Sequence, residues 1–395
     1  MFNRVKGFFN SGSLPPMLNY SQLTGSCTIS ALEQAMGWDC HNVADASDRE
    51  GQSMASYFID YHKILINRSD MHGLIEHSAS LANESALMIA RDSTKRRGIL
   101  CTNLTHSSIA QACEKLGLHA IVVDADPSKG YQVNHDQLTQ AVKEHGKDIG
   151  IVVSTFGTTQ LGNIEDLAEH YLVKQLRLEG AWLHVDAAYG GVLSKYAIDV
   201  ERTGDPLVGN EFPDADSYTL DPYKFIGKPG CALLLSKELP VQTIHYYHHS
   251  PLTLATTMSL GPIAAWFHSL KECSLHGVRE IAYDCFRLTK FAANELRSNG
   301  IELVMSPELT VIPVALGSKE EVNHVCDKLI DDGFIVGRIR ITGRDYETHG
   351  VRIAITPKRT ELNLVNVDRV CSALRRRLWK KEGVGVGGNE MSNPK

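Results

Sequence analysis

The chain has 395 residues, 43% hydrophobic and 22% charged, a composition typical of a globular protein with one large domain and a smaller one. The net charge of −6 argues against nucleic acid or an anionic membrane as the main partner. Nine cysteines, an odd number with no CxxC pair, argue against a disulfide framework and a structural zinc site. Residues 1–16 lack the apolar core of a signal peptide, and we therefore expect a cytoplasmic protein.

The first half of the chain predicts an alternation of strands and helices. Residues 1–48 are irregular and rich in Gly, Ser and Pro, and apolar spacing of three and four predicts a helix over 51–66. Apolar runs then predict strands that begin near residues 98, 119, 149, 181, 216 and 231. Helical patterns that close on glycine lie between them, at 107–117, 134–146 and 163–180. This alternation predicts an α/β fold with a mainly parallel sheet covered on both faces.

The second half predicts a different organisation. A long helical region over 259–298 separates the large domain, at 49–258, from a small α/β domain at 299–380. The small domain is predicted to contain strands TVIPVAL and VRIAIT and helices KEEVNHVCDKLIDDG and NVDRVCSALRRRL. Residues 381–395 have little to bury, and we expect them to be disordered.

Chemically useful side chains follow several of the predicted strands. The strand near 181 ends on Asp186, the strand near 216 leads to Lys224, and the strand near 149 runs into a cluster of hydroxyls. Open α/β sheets bind ligands beyond the carboxyl ends of their strands, so these groups should share one crevice. Pyridoxal phosphate needs a lysine, a carboxylate for its ring nitrogen and donors for its phosphate. The set therefore predicts a pyridoxal-phosphate site without a metal.

Several ordered motifs resemble one family. The segments HVDAAYGG and DSYTLDPYKF resemble the paired signatures of the group II pyridoxal-phosphate amino acid decarboxylases, which include glutamate, aromatic amino acid and tyrosine decarboxylases. The segments THSSIAQACEKLGL, STFGTTQLGNIEDL and VRIAITP resemble three further family motifs in the family's order. The resemblance implies fold type I, with a mainly parallel seven-stranded sheet and a small C-terminal α/β domain. It also implies a homodimer with active sites at the subunit boundary.

The same resemblance assigns roles to four residues. Lys224 stands where the family's lysine binds the cofactor covalently, and Asp186 stands where a carboxylate keeps the ring nitrogen protonated. His106 matches the histidine that stacks on the cofactor ring and contacts the substrate carboxylate, and Ala188 leaves room for a flat ring. The alternatives are a surface lysine, a helix-capping aspartate and a structural histidine.

Further contacts are expected for the phosphate, the ring oxygen and the substrate. The family's G-G-[TS]-E-[AS]-N segment corresponds to LANESA at 81–86, which makes Ala82 and Asn83 phosphate ligands at a helix start. Tyr223 replaces a family histidine and is a further phosphate candidate. Thr155 is expected to face the ring oxygen or the substrate, as is Thr158. Arg352 corresponds to an arginine that binds the substrate carboxylate in some members, with a surface ion pair as the alternative.

The leading hypothesis is decarboxylation of an L-amino acid to its amine. A His-rich segment at 245–249 is expected to form a mobile loop that returns a proton to the substrate carbon. One alternative keeps the cofactor and changes the reaction to a carbon–carbon or carbon–sulfur lyase, an aldehyde-forming enzyme or an aminotransferase. The other is a non-catalytic relative, based on the missing glycines near 81–83 and on Tyr223.

Overall fold

A computed structural model describes residues 49–197, 212–226, 229–239, 261–334 and 336–357, together with 372 and 374. The predicted N-terminal segment, the His-rich loop and the C-terminal tail lie outside these residues, as does most of the predicted last helix. The described residues form a seven-stranded sheet, a three-stranded sheet, a short two-stranded pair and the helices that cover them. Among them, we find no helix that is both long and apolar enough to cross a membrane.

The seven-stranded sheet confirms the mainly parallel fold. Its strand order is β1-β9-β8-β7-β6-β2-β3, and β9 alone in this sheet runs antiparallel to its neighbours. The strands are β1 (His72–Glu76), β2 (Gly98–Thr102), β3 (His119–Val123), β6 (Ile149–Thr155), β7 (Trp182–Asp186), β8 (Ser217–Leu220) and β9 (Ala232–Ser236). All six predicted strands are present. The five-residue β1 was not predicted, because it is recruited by antiparallel pairing with the distant β9.

Helices cover both faces of this sheet. The helices are α1 (Arg49–Leu65), α2 (Ala79–Thr94), α3 (Ser107–Leu116), α4 (His135–His145), α5 (Tyr171–Leu178), α6 (Gly190–Ala197) and α7 (Gly261–Ser298). Leu100 and Val152 point to one hydrophobic cluster, which α1 and α4 to α7 cover. Their strand neighbours Ile99 and Ile151 point to the other, under α2 and α3. The central strands are therefore apolar on both faces, as expected for a parallel sheet.

One predicted helix is wrong in its extent. The pattern over 163–180 predicts a single helix, whereas the chain forms a short 3-10 turn at Leu167–Glu169 and then α5. His170 is extended between them and accepts a hydrogen bond from the Leu172 N–H group through its Nδ1 atom (3.3 Å). Upstream, Phe156 and Ile164 pair in an isolated bridge, so the start of the predicted helix belongs to a loop at the sheet edge.

The small C-terminal unit is built on an antiparallel sheet of order β10-β12-β11. Its strands are β10 (Val311–Leu316), β11 (Gly337–Thr342) and β12 (Glu347–Ala354), with α8 (Lys319–Asp331) packed on one face. A separate hydrophobic cluster, which includes Val325 and Val351, lies between helix and sheet. The sequence did not predict β11, since its exposed arginines leave only two strongly buried apolar positions. The short pair β4 (Ala125–Asp126) and β5 (Gln132–Val133) was also not predicted.

Candidate active site

Four strands of the large sheet deliver polar side chains to one edge. Thr155 and Asp186 are the last residues of the neighbouring β6 and β7 and lie opposite each other in the ladder. Lys224 follows β8 in a 3-10 turn, and His106 follows β2 as the N-cap residue of α3. They surround a cavity of about 170 Å³, whose lining comprises Ser78, Ala79, Ser80, Asn83, His106, Thr155, Gly157, Thr159, Asp186, Ala188, Tyr189, Asp221 and Lys224. The structure thus brings the predicted lysine, aspartate and histidine together.

Asp186 is buried, with 5% of its surface exposed, and both carboxylate oxygens accept hydrogen bonds. The backbone N–H group of Ala188 donates to Oδ1 at 3.1 Å, and the Asn83 amide donates to Oδ2 at 2.9 Å. These bonds fix the carboxylate plane at the bottom of the cavity. The small side chain of Ala188 lies in the cavity wall beside it.

Lys224 lies in a short 3-10 turn, which the preceding residue Asp221 caps. Asp221 accepts a hydrogen bond from the Tyr223 N–H group at 3.2 Å, and Pro222 occupies the first position of the turn. This conformation turns Lys224 into the cavity, while the Tyr223 side chain is 36% exposed and does not line it. The predicted contact between Tyr223 and the phosphate therefore has no support in this cavity.

His106 is half-buried, and its ring is held by the start of α3. Its Nδ1 atom accepts a hydrogen bond from the Ser108 N–H group at 3.2 Å. Burial lowers the pKa of His106, the Asp186 carboxylate opposes this, and Lys224 and Arg352 lower the pKa further. All three charged groups therefore act on the pKa of the histidine, although Arg352 comes from the other sheet.

A buried carboxylate holds the backbone of Thr155 in place. Glu165 accepts the backbone N–H group of Thr155 at 2.6 Å and the hydroxyl of Thr102, and burial raises its pKa to about 7. The Thr155 hydroxyl is buried beside the same carboxylate, and its interaction with Glu165 lowers the pKa of that carboxyl. Thr158 differs, because its hydroxyl donates to Asn163 and it is absent from the cavity lining. Of the two predicted threonines, only Thr155 lies at the cavity.

The helix whose first turn faces the cavity begins three residues before the predicted phosphate ligand Ala82. Helix α2 begins at Ala79, and the Ser78 hydroxyl caps it by accepting the Leu81 N–H group at 3.3 Å. The N–H group of Ala82 is already bonded to the Ser78 carbonyl at 2.9 Å, so Ala82 cannot donate to a phosphate. The backbone N–H groups of Ala79 and Ser80 precede the first helical hydrogen bond and have no acceptor in the helix. The serine before the helical pattern was the overlooked sequence signal.

Arg352 reaches the site from β12 of the small sheet. Its Nη1 atom donates to the carbonyl of Thr159, which lines the cavity. Gly337 is its cross-strand neighbour on β11, and a Cβ atom there would lie 2.2 Å from the Arg352 Nε atom. The guanidinium stem therefore crosses the space that this glycine leaves open.

Comparisons with known proteins agree with this geometry. Residues 77–245 match the family described as "Pyridoxal-dependent decarboxylase conserved domain". The chain is 27% identical over 252 residues to a histidine decarboxylase of Mesorhizobium japonicum, covering 62% of this chain and 66% of that protein. It is 24% identical over 335 residues to an L-tyrosine/L-aspartate decarboxylase of Methanocaldococcus jannaschii, covering 79% and 80%. Its fold matches Lactobacillus brevis glutamate decarboxylase with a TM-score of 0.72 at 15% identity, covering 98% and 93%.

The seven-stranded sheet and the match to that glutamate decarboxylase show fold type I, and the family matched by residues 77–245 is described as pyridoxal-dependent. The family match and the similar decarboxylases support pyridoxal-phosphate-dependent decarboxylation of an amino acid as the reaction of this chain. The cavity fits the cofactor, because it presents an amine, a buried carboxylate, a buried hydroxyl and a helix N-terminus.

Proposed function

We propose that Lys224, Asp186, His106 and Thr155 hold pyridoxal phosphate for the decarboxylation of an L-amino acid to its amine. The observation that carries this proposal is their convergence on one cavity from four strand ends far apart in sequence. When bound, the cofactor supplies a conjugated cationic ring that accepts the electron pair of the breaking Cα–carboxylate bond. The residues must therefore bind this ring, keep it charged and orient the substrate.

Asp186 is proposed to hold a proton on the ring nitrogen. Its two hydrogen bonds leave the carboxylate fixed and nearly removed from water, where an opposite charge has its strongest effect on a neighbour's protonation. Lys224 would supply the amine that attaches the cofactor. His106 would cover the ring, and the buried Thr155 hydroxyl would face the ring oxygen.

The phosphate is proposed to bind at the start of α2. The backbone N–H groups of Ala79 and Ser80 and the Ser80 hydroxyl line the cavity at the positive end of the helix dipole. These donors take the place of Ala82 and Asn83, whose hydrogen bonds are used inside the protein.

Arg352 is proposed to bind the substrate carboxylate together with His106. It acts electrostatically on His106, and its side chain is fixed beside Thr159 at the cavity. A guanidinium can hold a carboxylate through two parallel hydrogen bonds, which would orient the bond to be broken. The substrate is proposed to resemble those named for the similar enzymes, namely histidine, tyrosine or aspartate.

We further propose a cytoplasmic homodimer with its active sites at the subunit boundary. This proposal rests on the resemblance of the sequence motifs to those of the group II decarboxylases. Light scattering of the fully active protein should give the mass of a dimer. A monomeric mass would contradict this part of the proposal.

The decisive experiment traps the cofactor and follows the reaction. The purified protein should absorb visible light, and borohydride should fix the cofactor to the peptide that contains Lys224. Lys224→Ala should abolish CO2 release from a panel of histidine, tyrosine, aspartate and glutamate. A reduced cofactor on another peptide would overturn the assignment of Lys224, and a product without CO2 would overturn the reaction.

A further inference from the structure

A continuous chain of buried hydrogen bonds runs behind the cavity. The Trp182 indole N–H donates to the Ser217 hydroxyl at 2.8 Å, and that hydroxyl lies 2.9 Å from Nδ1 of His184. Nε2 of His184 lies 3.1 Å from the Asn83 carbonyl oxygen, and the Asn83 amide nitrogen lies 2.9 Å from Oδ2 of Asp186. Each of the five residues is buried.

The groups at the two ends of this chain of hydrogen bonds determine which atom donates in each bond. The carboxylate of Asp186 can only accept, so the amide nitrogen of Asn83 must face it and the Asn83 oxygen must face His184. At the other end, the Trp182 indole can only donate to Ser217, whose own hydrogen then points to Nδ1 of His184. Burial lowers the pKa of His184 to about 4, so the ring is neutral near pH 7 and carries its hydrogen on Nε2.

A second branch leaves the same amide and reaches the catalytic histidine. The Asn83 amide nitrogen also donates to the Ser108 hydroxyl at 3.0 Å. That hydroxyl lies 2.9 Å from Nδ1 of His106, and the Ser108 N–H group also points to Nδ1. Two donors at Nδ1 leave the hydrogen of a neutral His106 on Nε2.

We infer that Asn83 is a positioning residue whose single side-chain amide orients Asp186 and the Ser108 hydroxyl that faces Nδ1 of His106, with His184 holding Asn83 in place. This inference rests on the proposed function of Asp186 and His106. It replaces the predicted contact of Asn83 with the phosphate. The carboxylate proposed for the ring nitrogen and the histidine proposed to cover the ring would then be linked through one buried amide.

Asn83→Asp is the most informative substitution, because it keeps the shape of the side chain and replaces the amide that donates to Asp186 with a carboxylate. A second carboxylate about 3 Å from Asp186 cannot be ionised beside it, so the pair would share a proton. Asp186 would then hold a proton on the ring nitrogen less well. The bound cofactor carries one further proton that titrates. Without the positive charge on the ring nitrogen, we expect the pKa of that further proton to rise.

The experiment titrates the visible absorbance of the holoenzyme against pH and measures the cofactor dissociation constant. For Asn83→Asp we expect a midpoint about one pH unit higher or more, and at least tenfold weaker cofactor binding. The matched control is Ser85→Ala on the same helix. This variant loses a buried hydrogen bond to Glu76 (3.0 Å) that is not part of the hydrogen-bonded network through Asn83. It should lower the thermal midpoint and leave the titration unchanged. An unchanged titration and dissociation constant in Asn83→Asp would refute the inference.

A second pair of variants covers the case in which Asn83→Asp does not fold. His184→Gln keeps a donor near the position of Nε2 and so keeps Asn83 in place, whereas His184→Asn keeps the contact with Ser217 alone. The glutamine variant should titrate like the wild type and the asparagine variant should shift upward. Equal behaviour of the two variants would refute the role of His184.

Nitrogen NMR of the cofactor-free protein gives a test that does not depend on the cofactor. His106, assigned by comparison with His106→Gln, should carry its hydrogen on Nε2 in the wild type, and its Nδ1 signal should shift in Asn83→Asp, where the Ser108 hydroxyl can donate to the new carboxylate instead of to Nδ1. A hydrogen on Nδ1 in the wild type would refute the network. If the wild type binds no cofactor but shows the expected tautomer, the proposed function fails and the network stands.

Discussion

The two sheets contribute to the active site in different ways. Asp186 and Thr155 end buried parallel strands of the large sheet and are 5% and 4% exposed. Arg352 is half-buried in an antiparallel strand, between the buried Val351 and Ile353. The carboxylate of Asp186 accepts hydrogen bonds from two donors, and the Arg352 head donates to the Thr159 carbonyl.

This difference follows from the surroundings of each strand. A polar group at the end of a strand buried on both faces must be hydrogen-bonded inside the protein, and a satisfied group has little freedom to move. An arginine on a partly exposed strand keeps a long, hydrated side chain that adapts to its partner. We therefore expect the large sheet to serve the chemical step and the small sheet to serve recognition of the substrate.

The largest effect should come from removing charge on the large-sheet side. Asp186→Asn keeps the shape of the side chain and loses the negative charge that holds the ring proton. We expect kcat to fall about a hundredfold or more, roughly 2.7 kcal/mol of barrier, in protein saturated with cofactor. The matched control is Asp216→Asn, at the opposite end of the same sheet, where the carboxylate accepts the Leu183 N–H group at 2.8 Å. The control should keep its kcat, and a native kcat in Asp186→Asn would contradict the proposed role.

A smaller effect is expected on the small-sheet side. Arg352→Ala removes the charged group proposed to bind the substrate carboxylate, at a cost of about 2 kcal/mol, or roughly thirtyfold. The loss should appear mainly in KM, because the ring and its proton are untouched. Steady-state kinetics and a cofactor titration check this split. A fall in kcat with an unchanged KM would show that Arg352 serves the chemical step and would remove the distinction between the two sheets.

The smallest effect should come from Gly337→Ala, which moves Arg352 without removing it. The new Cβ atom would lie 2.2 Å from Nε and 2.7 Å from Cγ of Arg352, so the side chain must shift. We expect KM to rise about fivefold, roughly 1 kcal/mol, with kcat within about twofold. Gly317→Ala is the control in the same unit, since its Cβ atom would approach the flexible end of Glu321 at 3.1 Å. Equal kinetics for both alanine variants would show that Gly337 does not aim Arg352.

The sequence by itself determined the fold class and the two groups with the most demanding chemistry. Alternating strands and helices predicted the mainly parallel sheet, because apolar periodicity reports burial on one or both faces directly. Asp186 and Lys224 were predicted because Asp186 ends one predicted strand and Lys224 follows another, each within a short contiguous motif. Their convergence follows from the geometry of parallel strands alone.

The tertiary structure decided the partners of Asn83 and the position of the phosphate site. Asn83 bonds to residues 25 and 103 positions away, and no local pattern reports such distances. The start of α2 depends on a serine cap that a propensity argument places only within a few residues. Long-range hydrogen bonds depend on atoms that packing brings together. For that reason the sequence predicted Asn83 as a phosphate ligand, whereas in the fold its amide donates to Asp186.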